Sequence, residues 1–255
     1  MRTLCLVVFC ILLTESACAQ THEELRVAAA ADLTKAFGEI ARVYEQKTGQ
    51  KVTLIFGSSG QLAQQIENGA PFDVFASANE GYIDQLDKKS LLVPGTRQLY
   101  ARGRLVLWTR KGGPALPATL ADLVSPRYIH IAIANPDHAP YGLAAKQALQ
   151  AVKIWDKIQS KLVTGENIQQ TYQFAATGNA DVALVSRAVV SGENGLFTPV
   201  PDRLYAPLLQ TIAVLKASTK ADHARQFIQF VTEGAGKALL KKYEFAPPGK
   251  KVQVK

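Results

Sequence analysis

The residues with the most to offer chemically are two adjacent hydroxyls framed by glycines, Gly57-Ser58-Ser59-Gly60. An apolar, strand-like run (52–56) leads into them. A short amphipathic segment with Leu62 and Ile66 on one face follows, and Gly69 and Pro71 stop it. The pattern is strand, small-residue turn, helix. The first N–H groups of a helix have no intrahelical acceptor and lie at the positive end of its dipole, so an anion resting on Ser58 and Ser59 would satisfy both. The same two residues also suit a plain helix N-cap, and on this stretch alone both readings stand. Asp32, Tyr141 and Ile168 stand at three further places where a helix begins after a strand or loop. Two of the four turns fall in each half of the chain. If the halves face one another, four helix N-termini converge on one small anion.

Catalysis has a weaker basis. Ser59, His138 and several aspartates invite comparison with a hydrolase triad, but Gly57-Ser58-Ser59-Gly60 is not G-x-S-x-G and no base is placed by the sequence. Phosphate-loop and dinucleotide patterns are absent, and Gly234-Ala235-Gly236 lacks a third glycine and a preceding strand. His22, His130 and His223 are far apart and show no ligand spacing, which argues against a zinc site. His138 reads as a solvated loop residue rather than a donor behind the site. Trp108 and Trp155 read as core or hinge residues, and Lys88-Lys89 and Lys241-Lys242 as solvated helix ends that complement the dipole. The chain is expected not to be an enzyme.

Periodicity shows the elements that must position these residues. Residues 25–31 are strand-like, and Asp32 stands in the N-cap position of a helix with an apolar stripe at Leu33, Phe37, Ile40, Ala41 and Tyr44 and with Gly49 past its end. A strand at 72–76 follows the Ser58-Ser59 helix. Asn79 then caps a third helix with Tyr82, Ile83 and Leu86 inward. Further strands are expected at 105–109, 129–134, 181–185 and 208–215. Helices are expected from the 135–142 loop through Ala151, then at 167–176, 221–232 and 235–243, and residues 191–207, rich in glycine and proline, read as loop. Alternating strands and helices predict an α/β protein whose mainly parallel sheets carry helices on both faces, with ligands bound beyond the carboxyl ends of the strands.

Residues 1–19 are set apart from the fold. Arg2, an unbroken apolar run at 4–13 and Ala17-Cys18-Ala19 describe a secretory signal peptide cleaved after Ala19, too short to span a bilayer. Acylation of Cys18 is the rival reading, disfavoured by Glu15 three positions before it. Cleavage removes all three cysteines (Cys5, Cys10, Cys18) and with them any thiol chemistry, and it leaves the net charge at +8. That charge attracts anions, but it is scattered rather than gathered into a nucleic-acid platform. The tail from residue 249 to 255 is basic and is expected to be loose.

Four segments, VAAAADLTKAF (27–37), FGSSGQLAQQIENGAPFDVFASAN (56–79), IANPDHAPYGLAAKQAL (133–149) and the closing helices ending in KKYEF (241–245), resemble the molybdate-binding periplasmic proteins of ABC importers. The resemblance covers roughly residues 24–246. It implies a two-lobed periplasmic-binding-protein fold of type II, with lobe 1 at 24–103 plus 209–248 and lobe 2 at 104–208, closing by hinge motion on a tetrahedral oxyanion in the cleft. It also implies a monomer that captures molybdate, and tungstate too, and delivers it to a membrane permease without any cofactor. Molybdenum would be present only as the bound oxyanion, with no direct protein ligand. The family's binding positions fall on Asp32, Ser59, Tyr141, Ile168 and Ser186, with Ser58 and Arg187 as secondary candidates. The family usually has a neutral donor where this chain has Asp32, and a carboxylate beside a dianion is repulsive. Three readings of Asp32 are open. It turns away to cap its own helix, it accepts a hydrogen bond from a protonated anion such as hydrogen phosphate or phosphite, or it pairs across the cleft with Arg187.

Overall fold

The computed structural model describes residues 24–249; the expected signal peptide, the three cysteines, His22 and the end of the basic tail lie outside the described residues. The chain opens with β1 (Leu25–Ala30), a 3-10 turn (Ala31–Leu33) and α1 (Thr34–Thr48). It continues through β2 (Val52–Gly57), α2 (Ser59–Glu67), β3 (Val74–Ser77), α3 (Glu80–Lys88) and β4 (Gln98–Gly103). A second series follows: β5 (Leu105–Arg110), β6 (Ile131–Ala134), α4 (Pro140–Ala151), α5 (Trp155–Ile158), β7 (Leu162–Gly165), α6 (Ile168–Ala176), β8 (Val182–Ser186) and β9 (Gly195–Pro199). The described chain closes with β10 (Leu208–Val214), α7 (Ala221–Thr232) and α8 (Gly234–Lys242).

The strands form two five-stranded sheets, ordered β2-β1-β3-β10-β4 and β7-β6-β8-β5-β9. In the first, β2, β1 and β3 run parallel and β10 is antiparallel to both its neighbours. In the second, β7, β6 and β8 run parallel and β5 is antiparallel to β8 and β9. The chain passes from the first sheet to the second through Arg104 alone, between β4 and β5, and returns at β10. The parallel strands therefore point their carboxyl ends into the space between the sheets.

The expected α1 stripe of Leu33, Phe37, Ile40, Ala41 and Tyr44 is buried throughout. Phe227 of α7 meets the edges of Phe37 and Tyr44 at 6.2 and 5.3 Å between ring centroids, which locks α1 to the C-terminal helices. Asn79 caps α3, and Ile83 and Leu86 face inward. Trp108 is buried against Tyr172, with ring centroids 5.1 Å apart. Lys89 and Lys242 do end helices, but each is paired, with Glu67 at 2.8 Å and Glu39 at 2.7 Å.

Three strands lie outside the sequence reading. β4 and β7 had no assignment, and β9 lies inside the 191–207 stretch read as loop. β9 is an edge strand against β5, with Leu196 and Phe197 largely exposed, so its sequence lacks the buried alternation that marks a strand. Asp32 does not cap its helix. Ala30 precedes the 3-10 turn, Asp32 is its second residue, and no side-chain cap is made there. Among the described residues no helix is long and apolar enough to cross a membrane.

Candidate functional site

Four helix starts meet over a small cavity of about 10 Å³ between the sheets. Its lining includes Ala30, Ala31 and Asp32 after β1, Gly57, Ser58 and Ser59 after β2, and Ala78 after β3. From the second half come Ala139, Pro140 and Tyr141 at the start of α4 and Ile168 at the start of α6. These are the carboxyl ends of parallel strands, where open α/β sheets leave a crevice. None of the lining residues is Lys, Arg or His.

Local sequence explains how each donor is presented. Ser58 N-caps α2, its Oγ taking the Gln61 N–H at 3.4 Å, which leaves the next residue inside the first turn. Ser59 is fully buried, and its Oγ accepts the Ala78 N–H at 3.0 Å. With that lone pair occupied, the hydroxyl keeps its own proton to give. Pro140 occupies the first position of α4, where a missing N–H costs nothing, and sets the fixed φ that starts the helix just before Tyr141. Asn167 caps α6 by accepting from Gln169 and Gln170 at 3.0 and 3.1 Å, and the Ile168 N–H ahead of them has no intrahelical acceptor. The two readings of the serine pair thus divide between its members: Ser58 is the cap and Ser59 lines the cavity with a free proton.

Asp32, Ser59, Tyr141 and Ile168 are brought together on this cavity. Ser186 is not in its lining. It stands behind Tyr141, where its Oγ donates to the Tyr141 hydroxyl at 3.1 Å and accepts the Ala188 N–H at 3.2 Å. The Tyr141 hydroxyl therefore keeps its own proton, which it offers to the Asp32 carboxyl. Arg187 does not pair with Asp32. Its guanidinium bonds Glu244 at 3.0 Å and stacks over Phe197 at 4.3 Å, because a part-exposed carboxylate and a ring outside the cavity satisfy it there.

Asp32 is only 2 % exposed. Oδ2 accepts from the Gln210 side-chain amide at 2.7 Å, whereas Oδ1 is buried without a hydrogen-bond partner. Burial raises this carboxyl to about 7, and the Tyr141 hydroxyl and Gln210 amide beside it offset only part of that rise. The same burial, reinforced by the Asp32 charge, pushes the Tyr100 and Tyr141 hydroxyls well above the usual tyrosine range.

Gln210 and Gly103 escaped the sequence reading. Gln210 interrupts the apolar run of β10, and a glutamine at the centre of such a strand must find a buried partner, which is the signal that points to it. Gly103 ends β4 against the Tyr141 ring: a Cβ there would stand 2.0 Å from the Tyr141 hydroxyl oxygen. Only the chain's close approach from the other half creates that need, so no local pattern announces it.

His138 is not the solvated bystander expected from a lone loop histidine. Its Nδ1 lies 2.8 Å from Ser58 Oγ, its carbonyl accepts the Gly60 N–H at 2.9 Å, and its Nε2 lies 3.5 Å from Glu166, which also accepts from Gln61 at 2.9 Å. These contacts tie the start of α2 to the second half of the chain. Ser58, His138 and Glu166 form a row that ties the start of α2 to the second half of the chain, with the serine engaged as a helix cap and the Glu166 contact long. On another side, Lys35 bonds Glu193 and the Ser191 carbonyl, and Tyr172 donates to Glu193 at 2.7 Å. Lys35 holds Glu193 below the usual carboxylate range. The cations near the cleft are thus paired at its rim, and the cavity itself offers neutral donors plus one carboxyl.

Two α/β halves joined by crossing strands, meeting over a small cleft of helix N-termini and neutral hydroxyls, define a two-lobed solute-binding protein. A profile of the bacterial extracellular solute-binding protein family matches residues 25–246, and the chain belongs to that family. Among its relatives, the molybdate-binding protein ModA of Rhodobacter capsulatus is 38 % identical over 223 residues, which is 87 % of this chain and 88 % of that one. The solved periplasmic molybdate-binding protein of Azotobacter vinelandii superposes with a TM-score of 0.84 at 31 % identity, covering 88 % of this chain and all of that one. The sulfate-binding protein SubI of Mycobacterium tuberculosis shares the fold, with a TM-score of 0.75 at 17 % identity over 88 % of this chain and 86 % of that one.

Proposed function

We propose that this chain is a periplasmic receptor that captures molybdate, and tungstate too, between a lobe of residues 24–103 plus 209–248 and a lobe of residues 104–208, and hands it to the permease of an ABC importer. It acts as a monomer and performs no catalysis. The observation that carries this reading is the cavity: four helix starts, two from each sheet, present N–H groups and the Ser59 hydroxyl to one point with no cation among the lining residues. A fully deprotonated tetrahedral dianion is all acceptor, and a shell of neutral donors matches it without a counter-charge. The molybdate-binding relatives support the choice among such anions.

The unpartnered Asp32 Oδ1 favours one rival, an anion that carries its own proton, such as hydrogen phosphate or phosphite. Thermal unfolding of the chain from Gln20 with molybdate, tungstate, sulfate, phosphate and phosphite separates the two. A ligand at a hundred times its Kd adds about 2.7 kcal/mol, or about 5 to 10 °C for a chain of this size. Stabilisation by molybdate and tungstate supports the proposal, stabilisation by phosphate or phosphite alone supports the rival, and no shift with any anion refutes both.

A further inference from the structure

A carboxyl group in a site built to hold a dianion poses a chemical problem, and the surroundings of Asp32 contain a way out. Oδ2 accepts from Gln210 at 2.7 Å and the Tyr141 hydroxyl stands beside the carboxyl, while Oδ1 is buried without a hydrogen bond on a residue that lines the cavity. Set against an oxyanion oxygen, an ionised Oδ1 would place acceptor against acceptor and negative against negative at a buried position. Among the described residues no Lys, Arg or His forms an ion pair with Asp32.

We propose that Asp32 enters the complex as the neutral acid, its Oδ1–H donating to the oxyanion, so that binding one molybdate takes up to one proton at this carboxyl, the more the higher the pH. This rests on the molybdate reading above. The proton comes from solvent or buffer, no covalent bond other than O–H is made or broken, and Oδ2 keeps its bond from Gln210. The neutral acid then offers one O–H donor, as a serine would at the same place.

The groups around Asp32 leave it as the titrating member of the cluster. Tyr141 of α4 and Tyr100 of β4 stay protonated, held well above their usual range. Tyr205, next to Tyr141, is pushed up to about 12. Gln210 of β10 and Ser59 of α2 are neutral. On α1, Lys35 is held by Glu193, which also engages Tyr172 of α6. His138 faces Ser58 rather than Asp32. The free carboxyl sits at about 7, so near neutrality it is divided between its two forms, and a bound dianion draws it to the acid.

The test is calorimetric titration of molybdate into the chain from Gln20, in Tris and in HEPES, whose ionisation heats differ. The expected uptake is about half a proton per molybdate at pH 7 and about 0.9 at pH 8, with Kd rising about fivefold from pH 7 to 8 and about tenfold per pH unit beyond that. Asp32→Asn and Asp32→Ser should each abolish the uptake and flatten the pH dependence. If both variants fail to fold, the ¹³C shift of the Asp32 carboxyl in the wild-type complex at pH 8 reads the acid directly. Equal apparent heats in the two buffers with a constant Kd from pH 6 to 9, uptake that persists in either variant, or an ionised Asp32 shift in the complex would overturn the inference while leaving molybdate binding intact. A wild-type chain that binds neither molybdate nor tungstate would instead remove the functional reading, and the inference with it.

Discussion

Gly60 offers the sharpest test of whether the two halves must close on one another. It lies in the first turn of α2, and its N–H donates to the His138 carbonyl across the cleft at 2.9 Å. A Cβ added there would stand 2.6 Å from the Tyr82 hydroxyl, 2.7 Å from the His138 carbonyl oxygen and 2.9 Å from the His138 Cα. The Tyr82 hydroxyl is the end of a side chain and can swing aside. His138 presents backbone, so relief requires the halves to part by several tenths of an ångström. That weakens one hydrogen bond, worth about 0.5 to 1.5 kcal/mol, and adds the strain of an overpacked contact, about 1 to 3 kcal/mol. Together they amount to about 2 to 4 kcal/mol, all of it in the closed state. With the cleft open the methyl group meets nothing from His138, and alanine is the better helix residue by about 0.5 to 1 kcal/mol. Gly60→Ala should therefore weaken molybdate binding about 30- to 1000-fold in calorimetric titration while leaving the urea midpoint of the ligand-free protein within about 1 kcal/mol of wild type. A Kd within threefold of wild type would show that closure onto Gly60 is not part of binding. A ligand-free protein that is itself unfolded would show that the contact belongs to the fold and not to the motion.

Other perturbations separate the site from the scaffold. Ser59→Ala removes the hydroxyl and orphans the buried Ala78 N–H; affinity should fall about 10- to 150-fold, with about 1 to 3 kcal/mol of stability lost, and an unchanged Kd would remove Ser59 from the donor set. The buried Asp32 carboxyl, raised from 3.8 to about 7, binds more protons folded than unfolded between those values. Its contribution is therefore complete below pH 4 and is lost as pH rises through 7, a change of about 4 kcal/mol at most. Urea midpoints of Asp32→Asn and wild type at pH 4.5 and 8 check this: the variant should gain on wild type at the higher pH, and an equal difference at both would refute the burial argument. Phe227→Ala empties the space between Phe37 and Tyr44 and should cost about 3 to 5 kcal/mol in urea unfolding, with molybdate affinity unchanged in the folded protein. A loss below 1 kcal/mol would mean that this edge-packed cluster does not hold α7 against α1.

Much of this protein was decided locally and could be read locally. The α1 stripe and the Asn79 cap are set by residues within a few positions of one another, because helix periodicity and capping are short-range, and the Asn167 cap and the Pro140 start, which the sequence reading did not name, are equally local. The same is true of the serine turn, whose helix start could be placed but whose division of labour could not: which hydroxyl caps and which stays free depends on Ala78 and His138, one strand and one lobe away. Edge strand β9 was lost to a glycine- and proline-rich stretch because its pairing with β5 leaves one face exposed. Asp32 shows the boundary most clearly. The chain alone marks it as an acid at a helix start, with three partners open to it. Only the packing of β4, β10 and α4 around one point buries it, gives Oδ2 to Gln210, leaves Oδ1 bare and sends Arg187 to Glu244. A carboxyl's proton affinity is set by the dielectric and donors within a few ångströms, and those come from residues 68 to 178 positions away in the chain.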